Sequence, residues 1–300
     1  RSYSSIFIGL GLGTRYTFLV TLMPIVIFLL LDIFFLKKII SKNFSIKKFL
    51  IDSTKVFLIA YFMMILFWSH THENIFLHPF KLAIESFAFP FGAPLTLLNG
   101  DFFLSNEYPK NYILVNLFYK MPEYILLSFL IFVLGYIKIL NFYKKKIYDF
   151  NFKLFLIILI IIFPNILILF SSYNLYDGLR LFLYLIPYIN IIPAILLYYL
   201  WKKQKEILNK FILTILIILK IFYIFNFLAV TPYHYVYLNV FAGKHSENSK
   251  KFENDYWGIS IKKLIKNLHK NVNLVEKSEV RVATCGMQNN TADYYLKKIK

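Results

Sequence analysis

Long apolar runs with few charged residues, separated by polar segments, dominate the chain. Six of these runs approach or exceed the roughly 20 residues that a helix needs to cross a bilayer. They lie at 16–36, 49–68, 122–140, 154–172, 181–201 and 211–230, and a shorter apolar stretch at 4–14 precedes them. The pattern predicts an all-α polytopic membrane protein with about six complete transmembrane helices and a partial first one.

Lysines are concentrated in alternate connections between the runs, at 37–48, 144–153 and 202–210. Such an alternation indicates cytoplasmic loops by the positive-inside rule. The remaining connections are then external: a long loop at 69–121, a short break between the runs on either side of residue 177, and the end of the chain. We therefore expect a membrane domain over residues 1–230 and a small external α/β segment over 231–300.

Local periodicity predicts secondary structure in these external parts. A helix at 76–88 is expected to lie at the membrane interface. The C-terminal segment is predicted to hold a helix at 259–268, a strand at 279–285 and a second helix at 292–299.

Composition supports a membrane protein and excludes a soluble one. Of 300 residues, 58% are hydrophobic and 20% aromatic, more apolar surface than a soluble domain of this length buries. The net charge of +18 comes from lysines between the apolar runs, which favours a membrane over nucleic acid as the partner. Cys285 is the single cysteine and excludes an intramolecular disulfide framework.

Two arginines are the most informative polar residues. Arg180, with Asp177 just before it, stands in the short break between two spans, and Arg15 follows the first apolar stretch. Both are expected at the external face, where a guanidinium suits a lipid-linked phosphate. The alternative for either arginine alone is that it contacts lipid headgroups, or that its side chain extends along the apolar surface until the charge reaches water. Asp177 is interpreted mainly as a structural partner of Arg180 or a cap of the next helix.

Other candidate groups are less specific. Lys220 lies near the middle of the last run, where a charge suggests function or snorkelling. His70, His72, Glu73 and His78 form a ligand-type group in the long loop, but their spacing matches no tight metal site. We interpret this group as part of a solvated loop, and binding of a divalent metal stays an open alternative.

Four segments resemble one family of membrane enzymes in their order along the chain: 9–24, 99–127, 176–187 (YDGLRLFLYLIP) and 232–263. They are similar to the GT-C superfold glycosyltransferases, especially bacterial relatives of dolichyl-phosphate-mannose protein mannosyltransferases. The resemblance implies that a sugar passes from a polyprenyl-phosphate donor to a lipid, glycan or protein acceptor. It also implies a multi-pass protein of the bacterial inner membrane, with a periplasmic C-terminal segment and no nucleic-acid partner.

The resemblance also suggests roles for individual residues. Arg15 and Arg180 would bind the donor phosphate. Asn99 and Tyr112 would contact the substrate from the long loop. Tyr176 and Asp177 would support the site. No metal ligand is assigned.

Two departures from the family pattern limit what can be transferred. Leu181 stands where the family has a histidine after the arginine. The family's acidic catalytic residue lies in the first external loop, which is expected upstream of Arg1. No catalytic residue is therefore assigned, and this chain alone is expected to be inactive.

Two alternative functions stay open. The protein could be a transporter or flippase of lipid-linked sugars, or a non-catalytic membrane scaffold.

Overall fold

The computed structural model describes residues 2–14, 18–37, 45–85, 95–170, 174–253, 255, 258–271 and 289–298. Helices make up most of this part of the chain, and a single hairpin supplies its two strands. In order the elements are α1 (Ser2–Thr14), α2 (Phe18–Leu31), α3 (Ile46–Phe67), α4 (His78–Glu85), β1 (Leu95–Leu98), β2 (Asp101–Leu104), α5 (Tyr112–Lys120), α6 (Glu123–Leu134), α7 (Tyr136–Lys144), α8 (Phe150–Phe170), α9 (Leu185–Lys202), α10 (Ile207–Ala229), α11 (His245–Asn248), α12 (Ile261–Asn271) and α13 (Asn289–Lys298).

Four of these helices, α3, α8, α9 and α10, are long and apolar enough to cross a membrane. A fifth span is obtained if α5 and α6, which meet at an angle of 114°, count as one. The prediction of a helical membrane protein is therefore confirmed in its class. The run predicted at 122–140 is broken at Gly135, which ends α6 and begins α7. The run predicted at 16–36 becomes α2 followed by a π-helical turn, Asp32–Leu36.

Helix α1 packs closely along α3 through glycines of its apolar stretch. A Cβ atom built on Gly9 would lie 2.5 Å from the carbonyl oxygen of Ala60 and 2.6 Å from Cβ of Met63. At Gly13 the nearest atom is the carbonyl oxygen of Met64, at 3.4 Å, which is ordinary contact. The two helices therefore approach closely at Gly9, because only a residue without a side chain fits there.

We expect Gly9→Ala to destabilise the protein and Gly13→Ala to be tolerated. The first change forces two helix backbones apart, which costs about 1–3 kcal/mol. The second adds a methyl group in available space and improves helix propensity by up to about 1 kcal/mol. Thermal unfolding of both variants in detergent checks this, and equal midpoints for the two would contradict the close packing at Gly9.

The remaining spans form a common core in which α9 is central. It contacts α6, α8 and α10. Its buried side chains include Leu185, Ile192 and Leu196, which are at most 4% exposed. The Tyr143 hydroxyl of α7 donates to the Ile195 carbonyl at 2.8 Å and ties α7 to the same helix. The apolar runs thus pack on one another as well as facing lipid.

One end of the helices carries the long polar connections, residues 95–121, 174–184 and 231–253, and is here called the loop face. Two backbone hydrogen bonds join its three parts. The Leu175 amide donates to the Ser105 carbonyl at 2.8 Å, and the Asn239 amide donates to the Tyr119 carbonyl at 2.9 Å. Segments far apart in sequence therefore form one surface.

The opposite end, here called the lysine face, comprises residues 32–37, 144–150 and 202–207. The Phe28 and Phe152 rings lie 4.5 Å apart and bring the end of α2 to the beginning of α8. Two of the three lysine-containing connections, as far as the structure describes them, therefore lie at the same end of the helices.

The long loop contains a β-hairpin that the sequence pattern did not predict. Its strands pair from Leu95 opposite Leu104 to Leu98 opposite Asp101. Asn99 and Gly100 form the turn, with φ angles of 53° and 100°, the left-handed conformation that Asn-Gly favours in two-residue hairpins. Because such turns are specified by two residues, hydropathy over a longer window does not reveal them.

The chain after α10 returns to the loop face and docks on the corner between α5 and α6. The Asn239 side-chain amide donates to the Met121 carbonyl at 2.9 Å and also to the Phe118 carbonyl. A carboxylate oxygen of Glu123 accepts from the Val240 amide at 2.8 Å. The helices predicted at 259–268 and 292–299 are confirmed as α12 and α13. The strand predicted at 279–285 lies outside the described residues.

Candidate functional site

Helix α5 presents three polar side chains on one face, toward the break between α8 and α9. Tyr112, Asn116 and Lys120 are spaced four residues apart, which aligns them along a helix. The Tyr112 hydroxyl donates to the Gly178 carbonyl at 3.2 Å. A Cβ atom built on Gly178 would lie 3.1 Å from Oδ1 of Asn116 and would overlap Nζ of Lys120. The break is therefore seated directly on α5.

Backbone conformation of the break explains why the sequence there is Asp-Gly. Asp177 and Gly178 both adopt the left-handed conformation, with φ angles of 57° and 61°. Aspartate tolerates this region better than most residues and glycine is unrestricted. Because Lys120 and Asn116 fill the space beside Gly178, a side chain at this position would have to displace the end of the Lys120 side chain, which glycine avoids.

Arg180 is held by Asp177 at the start of the next helix. A guanidinium nitrogen of Arg180 lies 2.7 Å from a carboxylate oxygen of Asp177. The arginine side chain is 32% exposed and the aspartate side chain 17%. The structure shows the pairing with Arg180, one of the two structural roles that the sequence allowed for Asp177, and the guanidinium is oriented at the loop face while keeping access to solvent.

Glu253 brings a second carboxylate from the C-terminal segment. Its neighbour Phe252 forms a β-bridge with Leu98 of the hairpin and is 2% exposed. The Glu253 carboxylate lies near the backbone amides of Asp177 and Leu97, and it lies within electrostatic range of Asp177 and Lys120. Three distant segments therefore meet in what we call the loop-face cluster: Lys120, Asp177, Arg180 and Glu253.

The cluster raises the pKa of Glu253 to about 7. Burial is the largest cause, since it disfavours the charged carboxylate, and repulsion from Asp177 adds to it. The two backbone amides and Lys120 act in the opposite direction. Glu253 consequently titrates near neutral pH, as a group that exchanges protons in a reaction must.

Glu253 should make the protein less stable as the pH rises. Its pKa is about 4.5 when unperturbed and about 7 in the fold, so the folded protein binds more protons between these values. The free energy of unfolding therefore falls across this window, by on the order of 1 kcal/mol after allowance for solvent screening.

Glu253→Gln should abolish this part of the pH dependence, and Glu247→Gln, an exposed change in the same segment, should leave it. Thermal unfolding near pH 5 and pH 8 measures the difference between each variant and the unmodified protein. Identical pH profiles for the unmodified protein and Glu253→Gln would contradict the raised pKa.

Residues predicted from sequence fall into three groups. Arg180, Asp177 and Tyr112 belong to the cluster or its support, although Tyr112 is only 1% exposed and holds the Gly178 carbonyl. Tyr176 is half-buried in the same break. Asn99 forms the exposed hairpin turn, and its contact with a substrate stays a prediction. Arg15 lies outside the described residues.

Sequence reasoning missed the roles of Lys120 and Glu253. A signal for Lys120 existed in its alignment with Tyr112 and Asn116 near the end of the long loop. Glu253 was one of several external carboxylates, and spacing alone did not select it, because its position depends on docking of the C-terminal segment.

The other candidates do not join the cluster. His72 Nε2 lies 2.7 Å from the Ile65 carbonyl, and His78 Nε2 lies 3.7 Å from a Glu73 carboxylate oxygen. Among the residues that the structure describes, no three His, Cys, Asp or Glu side chains are placed to hold a metal ion. Lys220 is exposed on the outer surface of α10.

Comparisons with protein-family models, with curated proteins and with solved structures find no match to this chain. The resemblance to membrane glycosyltransferases therefore stays a prediction from sequence motifs.

Proposed function

We propose that the protein is an integral-membrane glycosyltransferase that moves a sugar from a polyprenyl-phosphate donor to an acceptor at its loop face. One observation carries the proposal. The Arg180 guanidinium, oriented by Asp177 and one-third exposed, stands where two membrane-type helices end. A planar guanidinium at the boundary between hydrocarbon and water suits the phosphate of a lipid-linked sugar.

The chemistry of transfer needs help for a departing phosphate. The acceptor oxygen attacks the anomeric carbon, the bond from that carbon to the phosphate oxygen breaks, and the phosphate leaves with the electron pair. Arg180 would stabilise the charge that develops on the phosphate, and Lys120 would add to the positive potential behind it. The motif resemblance assigns Arg15 to the same task.

The proton of the acceptor hydroxyl must pass to a base. The resemblance expects the catalytic carboxylate upstream of Arg1. Glu253 supports acid–base chemistry at the same face, because its pKa of about 7 lets it accept or release a proton at neutral pH. We assign it to proton exchange near the phosphate and assign no residue of this chain as the primary base.

The membrane arrangement is part of the proposal. The loop face would be external, or periplasmic in a bacterium, and the lysine face cytoplasmic. In this arrangement α2 with its π-helical turn and α6 with α7 each complete a span, which gives six together with α3, α8, α9 and α10.

Transport of a lipid-linked sugar is the competing function. A transporter needs polar groups near the middle of the membrane and inside the bundle. Lys220, the mid-span cation, is instead exposed on the outside of α10. That position favours transfer over transport for the described part of the chain.

The test is a reconstitution of the complete protein in vesicles with a radiolabelled polyprenyl-phosphate sugar and an acceptor-lipid extract. Transfer predicts that label leaves the polyprenyl lipid and appears on another molecule at the loop-face side. Movement of intact labelled lipid between leaflets without transfer would replace the proposal with a flippase.

A further inference from the structure

A pocket of about 420 Å³ opens on the lysine face, away from the loop-face cluster. It lies between the end of α2, the end of α7 and the beginning of α8. Its wall is apolar, with Leu36, Phe152 and Phe155, and its polar lining comprises Lys144, Asp149 and Asn151. The volume falls within the range of roughly 300–1,000 Å³ that is typical of small-ligand sites.

The position of the pocket matches the headgroup layer of a bilayer. Helix α7 ends at Lys144 and α8, an apolar helix of 21 residues, begins at Phe150. A pocket between these two ends has lipid hydrocarbon on one side and water on the other. A ligand that fits such a boundary has a polar head and an apolar chain.

Charge around the pocket is predominantly positive. Lys144 lines it, and Lys145 and Lys146 follow directly in the chain. Lys146 stays at this surface because its ammonium group lies 4.2 Å from the centre of the Phe142 ring. Asp149 contributes the opposing negative charge within the lining. The combination favours an anion over a cation or a neutral head.

We infer that this pocket binds an anionic phospholipid, with the phosphate at Lys144 and Asn151 and one acyl chain along Leu36, Phe152 and Phe155. Basic pockets between helix ends on the cytoplasmic side of membrane proteins are suited to such headgroups. Charge selects the phosphate, and the apolar wall selects a lipid over a soluble phosphate. The site is separate from the donor site and does not depend on the proposed transfer reaction.

Two substitutions with opposite expected effects test the inference. Lys144→Gln removes the phosphate contact and should weaken phosphatidylglycerol binding about tenfold. Asp149→Asn removes the opposing charge, and asparagine tolerates the positive φ of 51° at this position. It should strengthen binding by about threefold. Lys205→Gln, which removes an exposed charge of the same face outside the lining, is the matched control.

Binding is measured on the complete protein in detergent by titration with short-chain phosphatidylglycerol, and with phosphatidylcholine and glycerol phosphate for comparison. The inference expects preference for phosphatidylglycerol over both and the stated order of variants. Equal weakening by Lys144→Gln and Lys205→Gln would reduce the effect to general surface charge and overturn it. Equal affinity for glycerol phosphate would show that the pocket binds soluble anions. Equal affinity for phosphatidylcholine would show that the headgroup charge does not determine binding. Either result would overturn the inference.

Discussion

Arg180→Ala is expected to lower the rate of sugar transfer about 100-fold or more, with little loss of stability. Under the proposed function, the guanidinium stabilises charge that develops on the departing phosphate, and removal of one such donor typically costs 10²–10³ in rate. Its ion pair with Asp177 is partly exposed, so the pair contributes only about 1 kcal/mol or less to folding. Arg180→Ala should therefore lower the transfer rate strongly while leaving the free energy of unfolding nearly unchanged.

The assay uses the complete protein in vesicles with labelled donor. Arg180→Lys should retain part of the rate, because it keeps the charge and loses the planar fork. Lys81→Ala removes an exposed cation of the long loop that pairs with Glu85 at 3.8 Å, and it should transfer normally. Near-normal transfer by Arg180→Ala would remove Arg180 from the donor site.

Lys120→Met is expected to destabilise the protein more at pH 8 than near pH 5, although it also relieves the desolvation cost of the buried ammonium group. Lys120 attracts both Glu253 and Asp177, and methionine keeps most of the side-chain volume but no charge. Two carboxylates would then share a partly buried site without the lysine, which is costly when both are ionised. The pKa of Glu253 would rise further, so the loss would be greatest where Glu253 must ionise.

A second substitution should rescue this variant. Lys120→Met combined with Glu253→Gln removes the buried carboxylate along with its cation, and a coupling free energy of about 1–3 kcal/mol is expected between the two changes. Lys110→Met is the control, because its ammonium group donates to the Ile168 and Leu169 carbonyls. Thermal unfolding at both pH values measures the cycle. Additive losses would show that Lys120 and Glu253 do not interact.

The helices illustrate how far sequence reasoning reached. The runs at 49–68, 154–172 and 211–230 appear as α3, α8 and α10 with ends shifted by a few residues. Two of the three lysine-containing connections also lie at the same end of the helices, as far as the structure describes them. The run at 122–140 was predicted as unbroken, and Gly135 interrupts it, because hydropathy averaged over a span does not register a single residue that ends a helix.

The candidate site was predicted in part. Asp177 and Arg180 were found because they stand alone between two apolar runs, a feature visible in a few adjacent residues. Lys120 and Glu253 join them only after α5, the hairpin and the C-terminal segment have packed together. Asn99 forms a hairpin turn that hydropathy did not reveal, and its predicted contact with a substrate stays a prediction.

The sequence by itself determined which segments form long apolar helices and which connections carry the lysines. Both follow from properties that add along the chain: the transfer of apolar side chains out of water, and the placement of lysines beside the bilayer. The tertiary structure decided which polar groups meet. Glu253 acquires its pKa of about 7 from burial and from repulsion by Asp177, which outweigh the opposing effects of two backbone amides and Lys120. Such energies depend on distances between groups that are remote in sequence, and only the folded chain fixes those distances.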